Sequence, residues 1–294
     1  METTTQITQQ CPLCSSTAVR FYMSKNGYSI YACDACALRF VFPLPGAVTV
    51  YNQDYFTGAR EGFGYTDYDA DKIPMIPVFE EYVRRIMRLR PQGGLLFDVG
   101  AATGFFMDIA KRFGFAVSGV EIAGFAAEVA RNKGLDVTTG TLADVGEQRA
   151  SMYDVVTMLD VIEHVADPRA ELLRVAGMLK SHGLVVINTP DAGSWYARIM
   201  GRGWHLIVPP EHLYYFDRSN MTTLLLECGF RVISVGTIGK TFTLSYICKT
   251  LYVWLKWPLW KWLGNICQEN PFLKRITIPI NLYDNFFLIA EKNT

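Results

Sequence analysis

The chain has 294 residues, and 28 Lys and Arg balance 28 Asp and Glu, so its formal net charge is zero. Half of it is apolar, 13% is aromatic and only 19% is charged, which excludes a disordered chain. The missing basic excess argues against a nucleic-acid partner, because phosphate neutralisation supplies most of such a binder's affinity.

The polar start METTTQITQQ carries no basic, apolar leader, so no secretory signal is expected and the protein is expected in the cytoplasm. Four of the seven cysteines form two close pairs, CPLC and CDAC, separated by 18 residues; Cys228, Cys248 and Cys267 are scattered. The paired spacing of Cys11, Cys14, Cys33 and Cys36 fits a zinc site in a reducing compartment. Four thiolates close a tetrahedron and leave no position for substrate, so the metal is expected to be structural, in a ribbon spanning 1–45. Iron or a metal-free ribbon are the alternatives. The head holds only Arg20, Lys25 and Arg39 against Glu2 and Asp34, which is no phosphate-binding stripe.

Residues 46–92 read as a connector and a helix. Tyr51, Tyr55, Phe56, Tyr65 and Tyr68 either close over a ligand as a lid or pack the ribbon onto the core. Glu80 and Glu81 stand at helical spacing from Arg84 and Arg85, the pattern of a solvated helix face.

From Leu95 the pattern alternates strand and helix: LLFDVG, FFMDIAKRFG, FAVSGVE, AGFAAEVARNKG, then LDVTTG and YDVVTMLD as further strands. Asp167 as N-cap and Pro168 at the first helical position open a helix expected to close at Gly183, ahead of the strand LVVINTP. After an aperiodic stretch at 191–218 come the helix SNMTTLLLECGF and the strands RVISVGTI and NFFLIAEK. Such alternation predicts an α/β fold, a doubly wound parallel sheet of seven strands, with its core at 93–239 and 281–294. RVISVGTI is expected to run parallel to its neighbours.

Ligands of such sheets bind beyond the carboxyl ends of the strands. Asp98 with Gly100 and Gly104 ends the first strand, and Glu121 ends the second, 17 residues after Gly104. The turn Gly100-Ala101-Ala102-Thr103-Gly104 is not the GxGxxG that seats a pyrophosphate, which excludes an NAD-dependent oxidoreductase. An acid at the strand tip attracts a sulfonium or ammonium group instead.

FDVGAATGFF, GVE and LDVIEHVADP resemble the signature of class I S-adenosylmethionine-dependent methyltransferases, in order over roughly Leu95 to Gly229. The resemblance implies a cofactor site of Asp98, Gly100, Ala101, Ala102, Gly104, Phe105, Glu121, Ile122, Leu142 and Leu159. Asp98 and the glycine turn would hold the methionine moiety and Glu121 the ribose hydroxyls; Leu142 would line the adenine pocket and Leu159 the methyl-donor side. Many members carry Gly where this chain has Ala102, so the backbone there must tolerate a methyl group.

Asp160 ends the fourth strand, followed by Glu163 and His164; a helical turn there would project all three to one side. The run is similar to the EVxEH of ubiquinone-pathway O-methyltransferases and small-RNA 2′-O-methyltransferases, which bind a metal with Glu where this chain has Asp160. His212, in PPEHLYYF, is a fourth candidate on the same edge. Three roles stay open for Asp160, Glu163, His164 and His212: a divalent metal site at the active centre, a general base with its orienting acid, or bracing of the helix start. His182 reads as a surface residue.

The last stretch, 240–280, is a cap with four of the six tryptophans, Trp254, Trp257, Trp260 and Trp262. Between Cys228 and Gln268 lie Arg231, Lys240, Lys249, Lys256 and Lys261 and no acid, the composition of a peripheral contact with the inner membrane face through 244–263. Lys249, Lys256, Pro258 and Lys261 interrupt that run, so no spanning helix is expected. A half-buried cap is the competing reading.

The ribbon, FVFPLP, YNQDYF and the core together resemble bacterial methyltransferases of surface-polysaccharide and secondary-metabolite pathways. The expectation is methyl transfer from S-adenosylmethionine to a hydroxyl of a small-molecule, sugar or lipid-linked acceptor. The alternative is a zinc-ribbon binding module whose core holds the cofactor without turnover.

Overall fold

The computed structural model describes residues 9–45, 69, 72–146, 149–273 and 276–294. The aromatic lid candidates at 51, 55, 56, 65 and 68 lie outside the described residues.

The head folds as the hairpin β1 (Val19–Lys25) and β2 (Tyr28–Cys33), with β3 (Arg39–Val41) beside it. Asn26 and Gly27 both take positive φ, 52° and 82°, as the tight turn between twisted strands requires. Helix α1 (Ile76–Leu89) buries Val78, Tyr82, Val83 and Ile86 on one face. On the other, Glu80 pairs with Arg84 at 2.7 Å and Glu81 with Arg85 at 3.0 Å, as their spacing predicts.

The alternation follows as β4 (Gly94–Val99), α2 (Phe105–Arg112), β5 (Phe115–Glu121), α3 (Gly124–Asn132), β6 (Asp136–Thr139), β7 (Tyr153–Leu159), α4 (Pro168–Met178) and β8 (Leu179–Pro190). Then come α5 (Trp195–Met200), β9 (Tyr214–Tyr215), α6 (Arg218–Glu227), β10 (Phe230–Gly236), β11 (Lys240–Thr243), α7 (Leu244–Leu255), α8 (Pro258–Glu269), β12 (Thr277–Ile280) and β13 (Asn285–Lys292).

Seven strands form one sheet in the order β10-β13-β8-β7-β4-β5-β6. The strands from β4 to β8 are parallel, and their central residues, among them Leu96, Phe97, Val155, Val156, Val185 and Val186, are fully buried because helices cover both faces.

Two expectations are corrected. β10 pairs antiparallel, not parallel, with its neighbour β13. Because β13 is also antiparallel to β8, β10 points the same way as the parallel strands, and its chain leaves at their carboxyl edge. Helix α4 opens on the Asp167 side chain, which accepts from the Ala170 amide at 3.0 Å, but it ends at Met178 rather than Gly183. Gly183 serves a bulge in β8, where a Cβ would sit 3.0 Å from both the Leu179 Cβ and the Lys180 carbonyl oxygen.

The aperiodic stretch after β8 holds α5, capped by Ser194, and β9. β9 pairs with β3, so the head sheet is four-stranded, β1-β2-β3-β9, and its last strand comes from the core.

Candidate active site

β4 leads into a turn with Gly100, Ala102 and Gly104 at φ of 73°, 48° and 78°. Gly104 caps α2 at positive φ, and a Cβ there would lie 2.2 Å from Leu135 Cδ1, so any side chain would be strained and would push Leu135 aside. The Gly100 and Ala101 amides donate to the Val120 carbonyl at 2.9 and 3.0 Å and tie the turn to β5.

Asp98 is buried, and its Oδ1 accepts from Thr157 Oγ1 at 2.6 Å. Burial pushes its carboxyl up to about 7; the Thr157 hydrogen bond opposes that and the nearby charge of Glu121 adds to it. Glu121 accepts from the Ala102 amide at Oε2 and the Ala123 amide at Oε1, both at 2.8 Å. Burial raises its carboxyl too, partly offset by those amides. β4 and β5 are in register at Val99 and Val120, so the structure brings both acids to one sheet edge within each other's field.

Around them, Ala101 is buried and Ile122 is exposed beside Glu121. Leu142 is buried near Val120 and Val145 and opens a short turn after β6. Leu159 ends β7, half buried, and Phe105 opens α2 against Phe79, ring centroids 6.0 Å apart. Thr157, Asp69 and Lys133 escaped sequence reasoning; the last two latch onto the turn, where Thr103 Oγ1 donates to Asp69 at 2.5 Å while Lys133 donates to Asp69 and to the Thr103 carbonyl. No spacing rule links residues 34 and 64 positions apart.

Further along the edge, one donor atom each from Glu163, His164 and His212 lie within 4.8 Å of one another. Glu163 and His164 sit on a turn closed by the His164 amide donating to the Val161 carbonyl, not on a helix. Glu163 is buried and accepts from Thr189 Oγ1 at 2.8 Å. His164 Nδ1 faces the Glu211 carbonyl at 2.6 Å, and His212 Nδ1 the Leu206 carbonyl at 2.8 Å. A carbonyl only accepts, so each Nδ1 carries a proton and each Nε2 is turned away from that carbonyl. Burial lowers the His164 pKa, against the raising effects of Glu211 and Asp160. Asp160 does not join the three: at φ 56°, it accepts from Asn188 Nδ2 at 2.6 Å. His182 is exposed, and His205 lies 3.6 Å from Asp284.

In the head, Cys11 and Cys36 are 3.5 Å apart at sulfur, Cys14 and Cys33 3.6 Å, and all four sulfurs lie within 4.8 Å. Zn–S bonds of about 2.3 Å at tetrahedral angles need sulfurs about 3.8 Å apart, so the donor set fits that ion.

The strand order, with the acid-tipped strands β4 and β5 side by side, defines a Rossmann-like fold. The chain belongs to the methyltransferase-domain family, whose model matches residues 77–235, just over half of it. Among curated relatives it is 30% identical over 146 residues to the ubiquinone biosynthesis O-methyltransferase of Xanthomonas axonopodis pv. citri (strain 306), covering 44% of this chain and 60% of that one. The corresponding Vibrio vulnificus (strain YJ016) protein is 30% identical over 134 residues, 43% of this chain and 57% of that one. The chain thus spans less than two thirds of the length of these relatives. Among solved structures, the magnesium protoporphyrin IX methyltransferase of Synechocystis PCC 6803 with bound SAH superposes with a TM-score of 0.50 at 15% identity, over 82% of this chain and 93% of that one. A SAM-dependent methyltransferase of Thermotoga maritima gives 0.50 at 18%, over 77% and 94%.

Proposed function

We propose that the protein transfers the methyl group of S-adenosylmethionine to a hydroxyl of a small-molecule, sugar or lipid-linked acceptor. The observation that carries this reading is the pair of buried acids, Asp98 and Glu121, ending adjacent parallel strands beside a glycine turn. In this reading Asp98 meets the ammonium of the methionine moiety, and the turn from Gly100 to Gly104, with Ala101 and Phe105 behind it, gives the backbone room to approach. Glu121 has both carboxylate oxygens oriented by amides and accepts the ribose hydroxyls. Ile122, Leu142 and Leu159 supply the apolar surface for the base and the methyl side.

The cofactor already carries its leaving group, so the protein must align the acceptor and take its proton. The acceptor oxygen forms the new bond to the methyl carbon as the carbon–sulfur bond breaks, and the electron pair of that bond neutralises the sulfonium. Burial keeps His164 neutral near neutral pH, so its Nε2, or that of His212, takes the proton, with Glu163 and the nearby charge of Asp160 balancing the imidazolium. One carboxylate and two imidazoles also suit a borderline divalent ion, which would acidify the acceptor hydroxyl when bound. The four head cysteines take zinc as a structural ion. The connector 46–92 then acts as lid or spacer.

Calorimetry with S-adenosylmethionine tests the reading, with Asp98→Ala and Glu121→Ala as controls. Binding lost in both variants, and product from a hydroxyl acceptor in a screen led by sugar nucleotides and polyprenyl-linked glycans, are the expected results. No cofactor binding by the folded protein would refute it; binding without product from any acceptor supports the non-catalytic module.

A further inference from the structure

We infer that the outer face of the α7–α8 hairpin docks on an anionic phospholipid surface. The inference rests on the reading above for its purpose, bringing the acceptor edge of the sheet to lipid-linked substrates, but not for its physical basis.

The hairpin grows from the carboxyl edge. β10 ends there at Gly236, β11 and β12 pair antiparallel as a stem, and two twelve-residue helices follow. Lys256, at φ 55°, turns the chain, and Pro258 opens α8 at a position that needs no amide hydrogen. The helices meet on small residues: Cys248, Gly264 and Cys267 are buried, and a Cβ at Gly264 would stand 3.5 Å from Cys248 Cβ. That close inner face leaves large side chains outside. Trp257 is 63% exposed, Trp262 59%, Leu259 52% and Tyr246 54%, whereas Trp204 in the core is wholly buried. Tryptophan side chains held in water beside leucine mark a surface meant to be covered.

Charge selects the cover. Lys249, Lys256 and Lys261 are exposed on the same hairpin, whose one acid is Glu269, the last residue of α8. A second copy would oppose lysine with lysine across a two-fold axis and offer only Glu269, at the C-terminal end of α8, to pair three lysines. Anionic headgroups pair the lysines, and the interfacial zone takes the indole rings, whose apolar body and polar N–H suit it. Each helix is about 18 Å long against a hydrocarbon core of about 30 Å. Among the described residues no helix is long and apolar enough to cross a membrane, so this geometry lies on the surface.

The test is co-sedimentation of the full chain with vesicles of phosphatidylglycerol and phosphatidylcholine, against phosphatidylcholine alone. Partition is expected at least about tenfold stronger on the anionic vesicles and weakened by 0.5 M salt. The double variants Trp257→Ala with Trp262→Ala, and Lys256→Glu with Lys261→Glu, should each lower it at least about tenfold, with melting temperature and S-adenosylmethionine affinity unchanged. Protein that melts cooperatively but stays in the supernatant, or variants that sediment like the parent, would overturn the inference. So would a concentration-dependent dimer lost in the tryptophan variant, which assigns the face to a second copy. Cofactor calorimetry on the same samples separates failure of the enzymatic reading from failure of the docking surface.

Discussion

The backbone amide of Leu213 donates to the carbonyl of Glu163 at 2.8 Å, stitching the loop that bears His212 to the turn that bears Glu163 and His164. The carbonyl of the same Leu213 accepts from the Val41 amide at 2.9 Å, and Phe40 pairs with Tyr214. The cysteine head and the histidine loop therefore share one sheet. Cys11 and Cys33 are buried in the same apolar cluster as Ile162 and Leu213.

Loss of a thiolate ligand should be felt at the acceptor side before the cofactor side. Cys33→Ser, or treatment with a strong chelator, is expected to lower turnover at least about tenfold while S-adenosylmethionine affinity stays within about threefold, because neither β4 nor β5 pairs with the head sheet. Calorimetry beside an activity assay checks this; equal loss of both would mean that the head supports the whole fold.

Asp98 gives the site a pH signature. Its folded carboxyl, at about 7, stands above its unfolded value, so its contribution to the stability of the cofactor-free protein is greatest below about pH 4 and is lost as pH rises through 7, on the order of 4 kcal/mol. Melting temperature should fall between pH 5 and 8, and Asp98→Asn should flatten that slope. A cationic ligand favours the ionised form, so cofactor affinity should rise with pH through 7, with proton uptake by the buffer seen when calorimetry is repeated in buffers of different ionisation enthalpy.

The alternation from β4 to β8 was legible because strand and helix periods, the Asp167-Pro168 start and the glycine stops are local signals. Asp98 and Glu121 could be nominated for the same reason: they end consecutive strands. What was not legible is long-range. β9 has two residues and exists only because β3 needs a partner, and the Asp69 latch crosses 34 positions to reach Thr103. Gly183 misled because a bulge and a helix stop both favour glycine. The turn after Asp160 read as helical because its residues do not oppose a helix; hydrogen bonds from Leu213 and Tyr214 to the Glu163 carbonyl take that acceptor out of helical use.

Ala102 stores strain that glycine would release. It holds φ 48°, which costs an L-residue about 1–2 kcal/mol, while glycine there costs about 0.4–1 kcal/mol through the unfolded state. Ala102→Gly should therefore raise the melting temperature slightly and leave cofactor affinity within about twofold. Gly104→Ala should do the reverse, losing about 2 kcal/mol or more, since its Cβ would overlap Leu135. Thermal melts of the two variants make the comparison, and destabilisation by Ala102→Gly would show that the methyl group is packed rather than strained.

His164 and His212 separate the two chemistries that their geometry allows. If a neutral imidazole takes the acceptor proton, His164→Gln and His212→Gln should act unequally. The base variant should lose about 10²–10⁴-fold in kcat, its partner far less, and turnover should survive a chelator too weak to strip the four-cysteine site. In the wild type, kcat should rise with pH through a midpoint below the ordinary histidine value, the direction in which burial moves His164. If a divalent ion sits among Glu163, His164 and His212, both substitutions and Glu163→Gln should fall together, with activity returning on added metal. Asp160→Asn discriminates further: standing outside the three, it should spare metal affinity while shifting the kcat midpoint down, because the Asp160 charge supports the protonated imidazole.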